Sequence, residues 1–433
     1  MSPEAAGIAG IVVLVALFLL KVPIAFSMLI VGAGGFAYLS GVDPALALLS
    51  QDIFETFTSY PLSVIPMFIL MGSFAFASGI SERLFATTYA WVGGVRGGLT
   101  IATVLACAGF AAICGSTAAT AATMGKIALP EMKKYNYDDT LATGAVASAG
   151  TLGILIPPST VFIVYAILTE ESIGKLFIAG VVPGILLSLL FVGVVWLLCA
   201  RNPKLGPPGP ATSWLTKLRA TKGIVEAVLL FALAIGGLML GWFSPTQAGA
   251  IGAGGALLIG LGRRTISWRA FVDAGRDGLV TSCMVMFIIA GAIVFGHFMA
   301  VSKIPFQLAD WVGGLPLHPM AIMGVIIFIY FIGGFFMDSM ALIVVTLPIF
   351  YPVVRKLGFD PIWFGVMIVL LCEMGVLTPP VGVNVFVIKG IAPEVPLNTI
   401  FRGIFPFLGA IILLAFIILL FPPIATWLPS LVQ

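Results

Sequence analysis

The feature that most constrains the fold is an internal repeat, in which the stretch 130–160 recurs 222 positions later without a gap. Both copies end in a double proline inside an apolar segment, Pro157–Pro158 and Pro379–Pro380. Proline in a helix interior removes a backbone hydrogen bond and clashes with the preceding turn. The repeat therefore predicts two broken helices at equivalent places in two duplicated halves, a pattern typical of membrane transporters built from repeats.

Composition places the chain in a lipid bilayer. Hydrophobic residues make up 60% of it and charged residues only 9%, whereas soluble domains carry about 25% charged residues. We therefore expect an all-α polytopic membrane protein. In lipid, a helix break survives only where its freed backbone groups face protein, water or a ligand. The net charge of +3 is too small to indicate a nucleic-acid partner.

The distribution of apolar and charged residues along the chain predicts three kinds of helical segment. Apolar segments of bilayer length lie at 6–20, 22–41, 61–80, 139–167, 173–199, 223–242, 245–262, 281–300, 361–390 and 396–425. The segments 98–129 and 317–351 are apolar but interrupted in the middle, which predicts re-entrant hairpins. The segments 43–60 and 265–280 mix charged and apolar residues at helical spacing, which predicts amphipathic helices on the membrane surface.

The basic residues predict how the two halves are oriented. The polar linker 201–222 contains several of them, which indicates a cytoplasmic location. Counting membrane crossings from the linker predicts that the basic motif that follows the first hairpin lies on the cytoplasmic side. Its copy, Arg355–Lys356, is predicted on the periplasmic side. We therefore predict two inverted repeats, 1–200 and 223–433, with both termini on the periplasmic side.

The candidate binding residues lie at the hairpin tips and at the helix breaks. Applying the 222-residue offset pairs Ser116 and Thr117 at the first tip with Asp338 and Ser339 at the second. Small residues there allow the backbone of a tip to approach a broken helix closely. Carbonyl, hydroxyl and carboxylate oxygens suit an alkali cation. The N-termini of half-helices in the same place would favour an anionic substrate.

Two acids within apolar segments leave alternatives open. Asp338 is notable because an acid at membrane depth is costly and usually functional; it could bind a cation, carry a proton or cap a hairpin helix. Glu373, in the second broken helix, is expected to make an inward polar contact rather than to act as a ligand. An enzyme is not expected, because the chain has two histidines and no pattern of nucleophile, base and acid.

Four motifs carry a resemblance to a known family: Gly115–Thr120, Gly153–Ser159, Gly334–Ser339 and Leu377–Gly382. Together they resemble the large membrane subunit of tripartite ATP-independent periplasmic (TRAP) transporters, the DctM-like subunit. The resemblance implies an elevator-type transporter of the bacterial inner membrane that is coupled to Na⁺. It also implies a small four-helix membrane subunit, which we expect not to be fused to this chain, and a periplasmic binding protein that delivers an organic acid anion.

The resemblance also assigns residues. Sodium ligands, by side chain or carbonyl, would be Ser116, Thr117, Thr151, Gly153, Asp338, Ser339, Gly375 and Thr378. The substrate would lie between the two sites, near Gly115, Pro157, Pro158, Ser159, Pro379, Pro380 and Asn384. An alternative with the same inverted-repeat plan is a stand-alone sodium/dicarboxylate symporter or an ion antiporter.

Overall fold

A computed structural model describes residues 1–210 and 212–431, and this part of the chain is largely helical. The first half contains α1 (Pro3–Leu19), α2 (Ile24–Ser40), α3 (Val42–Thr58), α4 (Val64–Ala77), α5 (Ile80–Val92), α6 (Gly98–Cys114), α7 (Thr117–Lys134), α8 (Asp139–Gly150), α9 (Leu152–Leu155), α10 (Thr160–Thr169) and α11 (Ile173–Arg201). The second half contains α12 (Trp214–Ala220), α13 (Val225–Phe231), α14 (Gly237–Met239), α15 (Pro245–Gly262), α16 (Trp268–Ser302), α17 (Ile304–Gly313), α18 (Pro319–Gly334), α19 (Ser339–Lys356), α20 (Pro361–Gly375), α21 (Val383–Ile391), α22 (Leu397–Leu420) and α23 (Pro423–Ser430).

Several helices are long and apolar enough to cross a membrane. By length and composition there are 5 in the described part of the chain, or up to 7 if each of two bent pairs forms one span. Shorter apolar helices include α1, α2, α6, α18 and α20. The expected polytopic all-α architecture is confirmed.

The two predicted surface helices differ. The first forms a separate helix, α3, which is bent by 56° from the helical segment Pro61–Ala77. The second prediction is wrong, because 265–280 is the start of α16, which continues for 35 residues to Ser302. Pro61 lacks the N–H that would continue α3, whereas the equivalent position of the second half, 219 residues later, is Val280. The location of α3 on a membrane surface remains a prediction.

Hairpins and broken helices occur in both halves, as expected. The helices α6 and α7 meet at the tip Gly115–Ser116, and α18 and α19 meet at the tip Phe335–Asp338. The first broken helix consists of α8, α9 and α10, with its break at Ile156–Ser159. The second consists of α20 and α21, with its break at Val376–Gly382. Both double prolines contain a cis peptide bond.

The two broken helices run in opposite directions. The first begins beside the linker, where the amide of Asp138 donates to the carbonyl of Leu205 at 3.1 Å. It ends at the opposite side of the molecule, where the second broken helix begins at Pro361. There the Tyr165 hydroxyl donates to the carbonyl of Pro361 at 2.7 Å. The second returns to the linker side, where Lys133 Nζ donates to Glu394 Oε1 at 2.8 Å. That hydrogen bond lowers the pKa of the Glu394 carboxyl below its usual value. The repeats are therefore inverted.

The described parts of the linker, 201–210 and 212–222, pack against the first half. They contain α12, whose first turn is capped by Ser213. The Trp91 indole donates to Thr221 Oγ1 at 3.0 Å, and the amide of Gly97 donates to the carbonyl of Gly206 at 2.8 Å. The linker therefore packs on α5 and on the start of the first hairpin. The boundaries 1–200, 201–222 and 223–433 remain a prediction.

The helices pack in two groups. In the first, α2, α3 and α4 pack on α16, and α4 also packs on α15. In the second, α7 packs on α6, α8 and α21, while α8 packs on α22. The crossing of α8 and α22 is close because Gly144 and Gly403 face each other, and a Cβ on Gly144 would overlap the backbone of Gly403. The hairpins and broken helices thus form one packed unit beside α2, α4 and α16.

Candidate functional site

Both hairpin tips line one cavity of about 1120 Å³. Ser116 and Thr117 of the first tip and Asp338 and Ser339 of the second are in its wall. Each broken helix also contributes, through residues at or beside its break: Ile154, Thr160, Val161, Val376 and Val383. Much of the remaining wall comes from α2, α4 and α16. The four polar residues that the repeat offset pairs are therefore brought to one place.

The first tip lies directly against the first break. Gly115 has a φ of +69°, and a Cβ there would lie 2.7 Å from the carbonyl oxygen of Pro158. A Cβ on Gly153 would overlap the carbonyl oxygen of Ser116. The Thr160 hydroxyl donates to the carbonyl of Gly115 at 3.1 Å. Only small residues permit this approach, as the sequence predicted.

The second tip repeats this arrangement with different chemistry. A Cβ on Gly375 would lie 2.5 Å from the carbonyl oxygen of Gly334. Asp338 caps α19, since its Oδ1 accepts a hydrogen bond from the amide of Ala341 at 2.8 Å. The hydroxyl of Ser339 has no hydrogen-bond partner in the described part of the chain. Of the three roles left open for Asp338, the helix cap is the one that the structure shows directly.

Four helices begin at the cavity. Its wall includes Thr117, Thr160, Ser339 and Val383, which are the first residues of α7, α10, α19 and α21. The first turn of a helix has unpaired N–H groups and carries a partial positive charge. Their convergence brings four partial positive charges to this cavity, one of them already opposed by the Asp338 carboxylate that caps α19.

The other predicted site residues are not part of the cavity wall. These are Gly115, Thr151, Gly153, Pro157, Pro158, Ser159, Gly375, Thr378, Pro379, Pro380 and Asn384. The hydroxyl of Thr151 donates to the carbonyl of Ser148 at 2.7 Å, and that of Thr378 contacts the carbonyl of Gly375 at 3.5 Å. Their roles as ligands remain predictions, and a role in binding requires either backbone carbonyls or a rearrangement of the breaks.

Two polar residues of the second broken helix behave differently from each other. Asn384 joins the two halves, because its Nδ2 donates to the carbonyl of Ala147 at 3.0 Å. Glu373 is fully buried, and neither of its carboxyl oxygens has a hydrogen-bond partner among the described residues. The expected inward polar contact of Glu373 is therefore not formed there.

The sequence reasoning missed several charged residues of the cavity. Lys21, Lys126, Asp273 and Asp277 are all in the wall. For Lys126 a signal was present, because it follows Ala119, Ala122 and Thr123 by seven, four and three residues, which puts all four on one face of the helix that begins at the first tip. The aspartates were assigned to a surface helix, which hid their position on the continuous α16.

No three His, Cys, Asp or Glu side chains within residues 1–210 and 212–431 cluster as a metal site would require. A cation at the tips would therefore depend on hydroxyl and carbonyl oxygens with the single carboxylate of Asp338, donors that suit an alkali ion rather than a transition metal.

Two inverted repeats, each contributing a hairpin tip and a helix break to one cavity, define the class of secondary transporters built from repeats. Within that class the particular family is clear. Residues 11–424 match the family described as "Tripartite ATP-independent periplasmic transporter, DctM component", and the chain belongs to this family.

Similar proteins agree with this assignment. The chain is 39% identical to the C4-dicarboxylate TRAP transporter large permease protein DctM of Pseudomonas aeruginosa, over 88% of this chain and 89% of that one. It is 35% identical to the isethionate TRAP transporter permease protein DctMQ of Oleidesulfovibrio alaskensis, over 87% of this chain and 59% of that one. Among solved structures, the Alcanivorax borkumensis YdaH transporter has a similar fold, with a TM-score of 0.63, 16% identity and 88% of each chain covered.

Proposed function

We propose that this chain is the membrane subunit that moves a small organic acid anion into the cell, driven by Na⁺. A periplasmic binding protein would deliver the anion, and a small four-helix membrane subunit would complete the complex. The orientation predicted from the basic residues places the linker in the cytoplasm and both termini in the periplasm of a bacterium, with the chain in the inner membrane. Membership of the TRAP family supports the partners, and the geometry of the cavity supports the substrate class.

The observation that carries the proposal is the convergence of both tips and four helix N-termini on one cavity. Partial positive charges at these N-termini stabilise an anion. Because tips and breaks come from both halves, one substrate would contact both repeats. Its position between the repeats suits alternating access, since either half can open while the other remains closed.

The tips also fit sodium. The unpartnered hydroxyl of Ser339 lies in the cavity wall next to the carboxylate of Asp338. Hydroxyl, carboxylate and main-chain carbonyl oxygens are the donors that a hard monovalent cation prefers. Bound Na⁺ would offset the charge of Asp338 and hold the tip against the break. The bound Na⁺ would then attract a substrate anion beside it, and this attraction would couple the binding of Na⁺ to the binding of the anion.

The packing of hairpins and broken helices as one unit supports an elevator mechanism. The arm α7 packs on α8 and α21, and α18 packs on α20. We propose that this unit moves relative to α2, α4 and α16, which form the other part of the cavity wall. The similarity to YdaH supports the fold alone. The movement of the unit is part of the proposal.

The decisive experiment separates the charge of Asp338 from its role as a cap. Asparagine caps a helix as well as aspartate does, whereas alanine costs about 0.5–2 kcal/mol. We expect Asp338→Asn and Asp338→Ala both to abolish Na⁺-driven uptake in proteoliposomes that contain the small subunit and the binding protein. The matched control is Asp360→Asn, because Asp360 caps α20 in the same way, through the amides of Ile362 and Trp363, away from the cavity. Normal sodium dependence in Asp338→Asn would refute the proposed site.

The alternative of a stand-alone symporter or antiporter is favoured only by the fold, which YdaH shares. It predicts uptake in liposomes without any binding protein. Uptake that requires the binding protein excludes it.

A further inference from the structure

The linker that joins the two halves carries positive charge that is not paired within the described part of the chain. The sequence contains no acid between the start of the linker and Glu226. None of the basic residues of the linker forms an ion pair with any residue in 1–210 or 212–431. These basic residues are Arg201, Lys204, Lys217, Arg219 and Lys222.

The acids on the neighbouring elements are engaged elsewhere. Glu226 on α13 pairs with two arginines, Arg83 at 2.7 Å and Arg263. Asp138, beside the other end of the linker, caps α8. Glu82, the one acid of α5, lies in the first turn of that helix, whereas α12 contacts its later turns. The linker therefore keeps a net positive charge.

One face of α12 is packed and the other is open. The Thr87 hydroxyl of α5 donates to the carbonyl of Ala220 at 2.7 Å, which holds the packed face in place. On the open face, Trp214, Leu215 and Leu218 are 65%, 58% and 49% exposed. Their spacings of one, three and four residues place them on one side of a helix. An apolar stripe that a soluble protein would bury is therefore uncovered.

Basic residues border the open face. Arg219 follows Leu215 by four residues, and Lys222 follows Leu218 by four, so each lies about one helical turn beyond an exposed leucine. Both basic residues are exposed, whereas Lys217 is half-buried. A helix with Trp and Leu on one side and Lys or Arg beside them is typical of the boundary between lipid headgroups and acyl chains.

The position of α12 in the chain fits that boundary. It lies between α11, a 29-residue helix that is long enough to cross a membrane, and α13. The segment Trp214–Gly223 is bent by 41° from Val225–Met239, and Val228 and Leu229 of α13 are exposed as lipid-facing residues are. Basic clusters directly beside a membrane span attract anionic lipids.

We propose that α12 is an interfacial anchor that binds anionic phospholipids in the leaflet on the linker side. Arg219 and Lys222 pair with lipid phosphate groups, while Trp214, Leu215 and Leu218 insert among the acyl chains. The lipid supplies the negative charge that the chain lacks around the linker. This anchor depends neither on the transported substrate nor on any movement of the hairpins.

Quenching of tryptophan fluorescence by brominated acyl chains tests the anchor, in vesicles of phosphatidylcholine and phosphatidylglycerol in equal amounts. One of the two lipids is brominated at a time, and the signal of Trp214 is the difference between the wild type and Trp214→Phe. Each basic residue near the surface favours the anionic lipid by about fivefold. We therefore expect brominated phosphatidylglycerol to quench Trp214 severalfold more strongly, and we expect high salt to remove this preference.

Variants separate the charge of α12 from its insertion. Arg219→Gln combined with Lys222→Gln should leave Trp214 quenched equally by both lipids. Arg219→Lys combined with Lys222→Arg keeps both charges and should retain the preference. Lys204→Gln is the matched control, because it removes a charge from the same linker outside α12, and it should also retain the preference.

Any of four results would overturn the proposal. Trp214 that neither lipid quenches would place α12 outside the membrane. Equal quenching by both lipids in the wild type would show that the headgroup has no effect. A preference that persists without Arg219 and Lys222 would contradict their assignment. Quenching that disappears when the small membrane subunit is added to the vesicles would show that a protein covers this face.

Discussion

The contact between the second tip and the second break makes a sharp prediction. A Cβ on Gly375 would lie 2.5 Å from the carbonyl oxygen and 2.6 Å from the Cα of Gly334. Ordinary contacts of a Cβ begin at 3.4 Å, so Gly375→Ala requires the two segments to separate by about 0.9 Å. Because both partners are backbone atoms, no change of rotamer relieves the overlap.

The magnitude follows from two opposing effects. Overpacking of this kind costs about 1–3 kcal/mol. Replacing glycine by alanine inside a helix otherwise stabilises by roughly 0.5–1 kcal/mol. Gly324 provides the control, since it lies in the middle of α18 and a Cβ there meets no atom within 4 Å. Because the helical gain is common to both variants, we expect Gly375→Ala to be destabilised relative to Gly324→Ala by roughly 1–3 kcal/mol.

The assay is thermal unfolding of the purified protein, followed with and without Na⁺. We expect Gly375→Ala to melt below the wild type and to lose stabilisation by Na⁺, since the tip and the break no longer meet. Gly334→Ala should have a smaller effect, because its Cβ would lie 3.0 Å from the nearest atom, the Cα of Gly375. If Gly375→Ala proved as stable as Gly324→Ala, the described contact between hairpin and broken helix would be refuted.

Two further predictions concern the packing around the site. Val280→Pro, which puts proline where the first half has Pro61, should break α16 and cost about 3 kcal/mol or more; thermal unfolding that matches wild type would contradict a continuous helix. Asp52→Ala removes the partner of His297, whose Nδ1 lies 2.9 Å from Asp52 Oδ2, and should cost about 1 kcal/mol. In a double-mutant cycle with His297→Ala, purely additive effects would show that this pair contributes nothing.

The sequence predicted the architecture because the repeat carries it. Matching the double prolines located both breaks, and the offset from Ser116 to Asp338 placed both tips. The prediction for 265–280 failed because the charged residues there suggest a separate surface helix. The helix continues through this segment because position 280 is valine rather than proline. The amphipathic pattern of the segment gives no information about that.

The residues that line the candidate cavity were predicted in part. Ser116, Thr117, Asp338 and Ser339 lie in the cavity wall because tips of small polar residues meet there. Lys126 was missed because a cavity is formed by helices distant in sequence, and a charge pattern along one helix does not show which face stays open. The lack of a hydrogen-bond partner for Glu373 among the described residues could not be inferred for the same reason, since the position of an acid in an apolar segment gives no information about its neighbours.

The double prolines are not in equivalent surroundings. Pro157 and Pro158 are buried, and α11 closes over that break through Gly180, where a Cβ would lie 2.5 Å from the carbonyl oxygen of Leu155. Pro379 and Pro380 are exposed. The same element, a double-proline helix break, is thus covered by a neighbouring helix in the first half and exposed in the second. If the halves exchanged these forms, the covered break would become the uncovered one without any new type of contact. Under the alternating access proposed above, the structure of one half would then be a template for the other half in the opposite state.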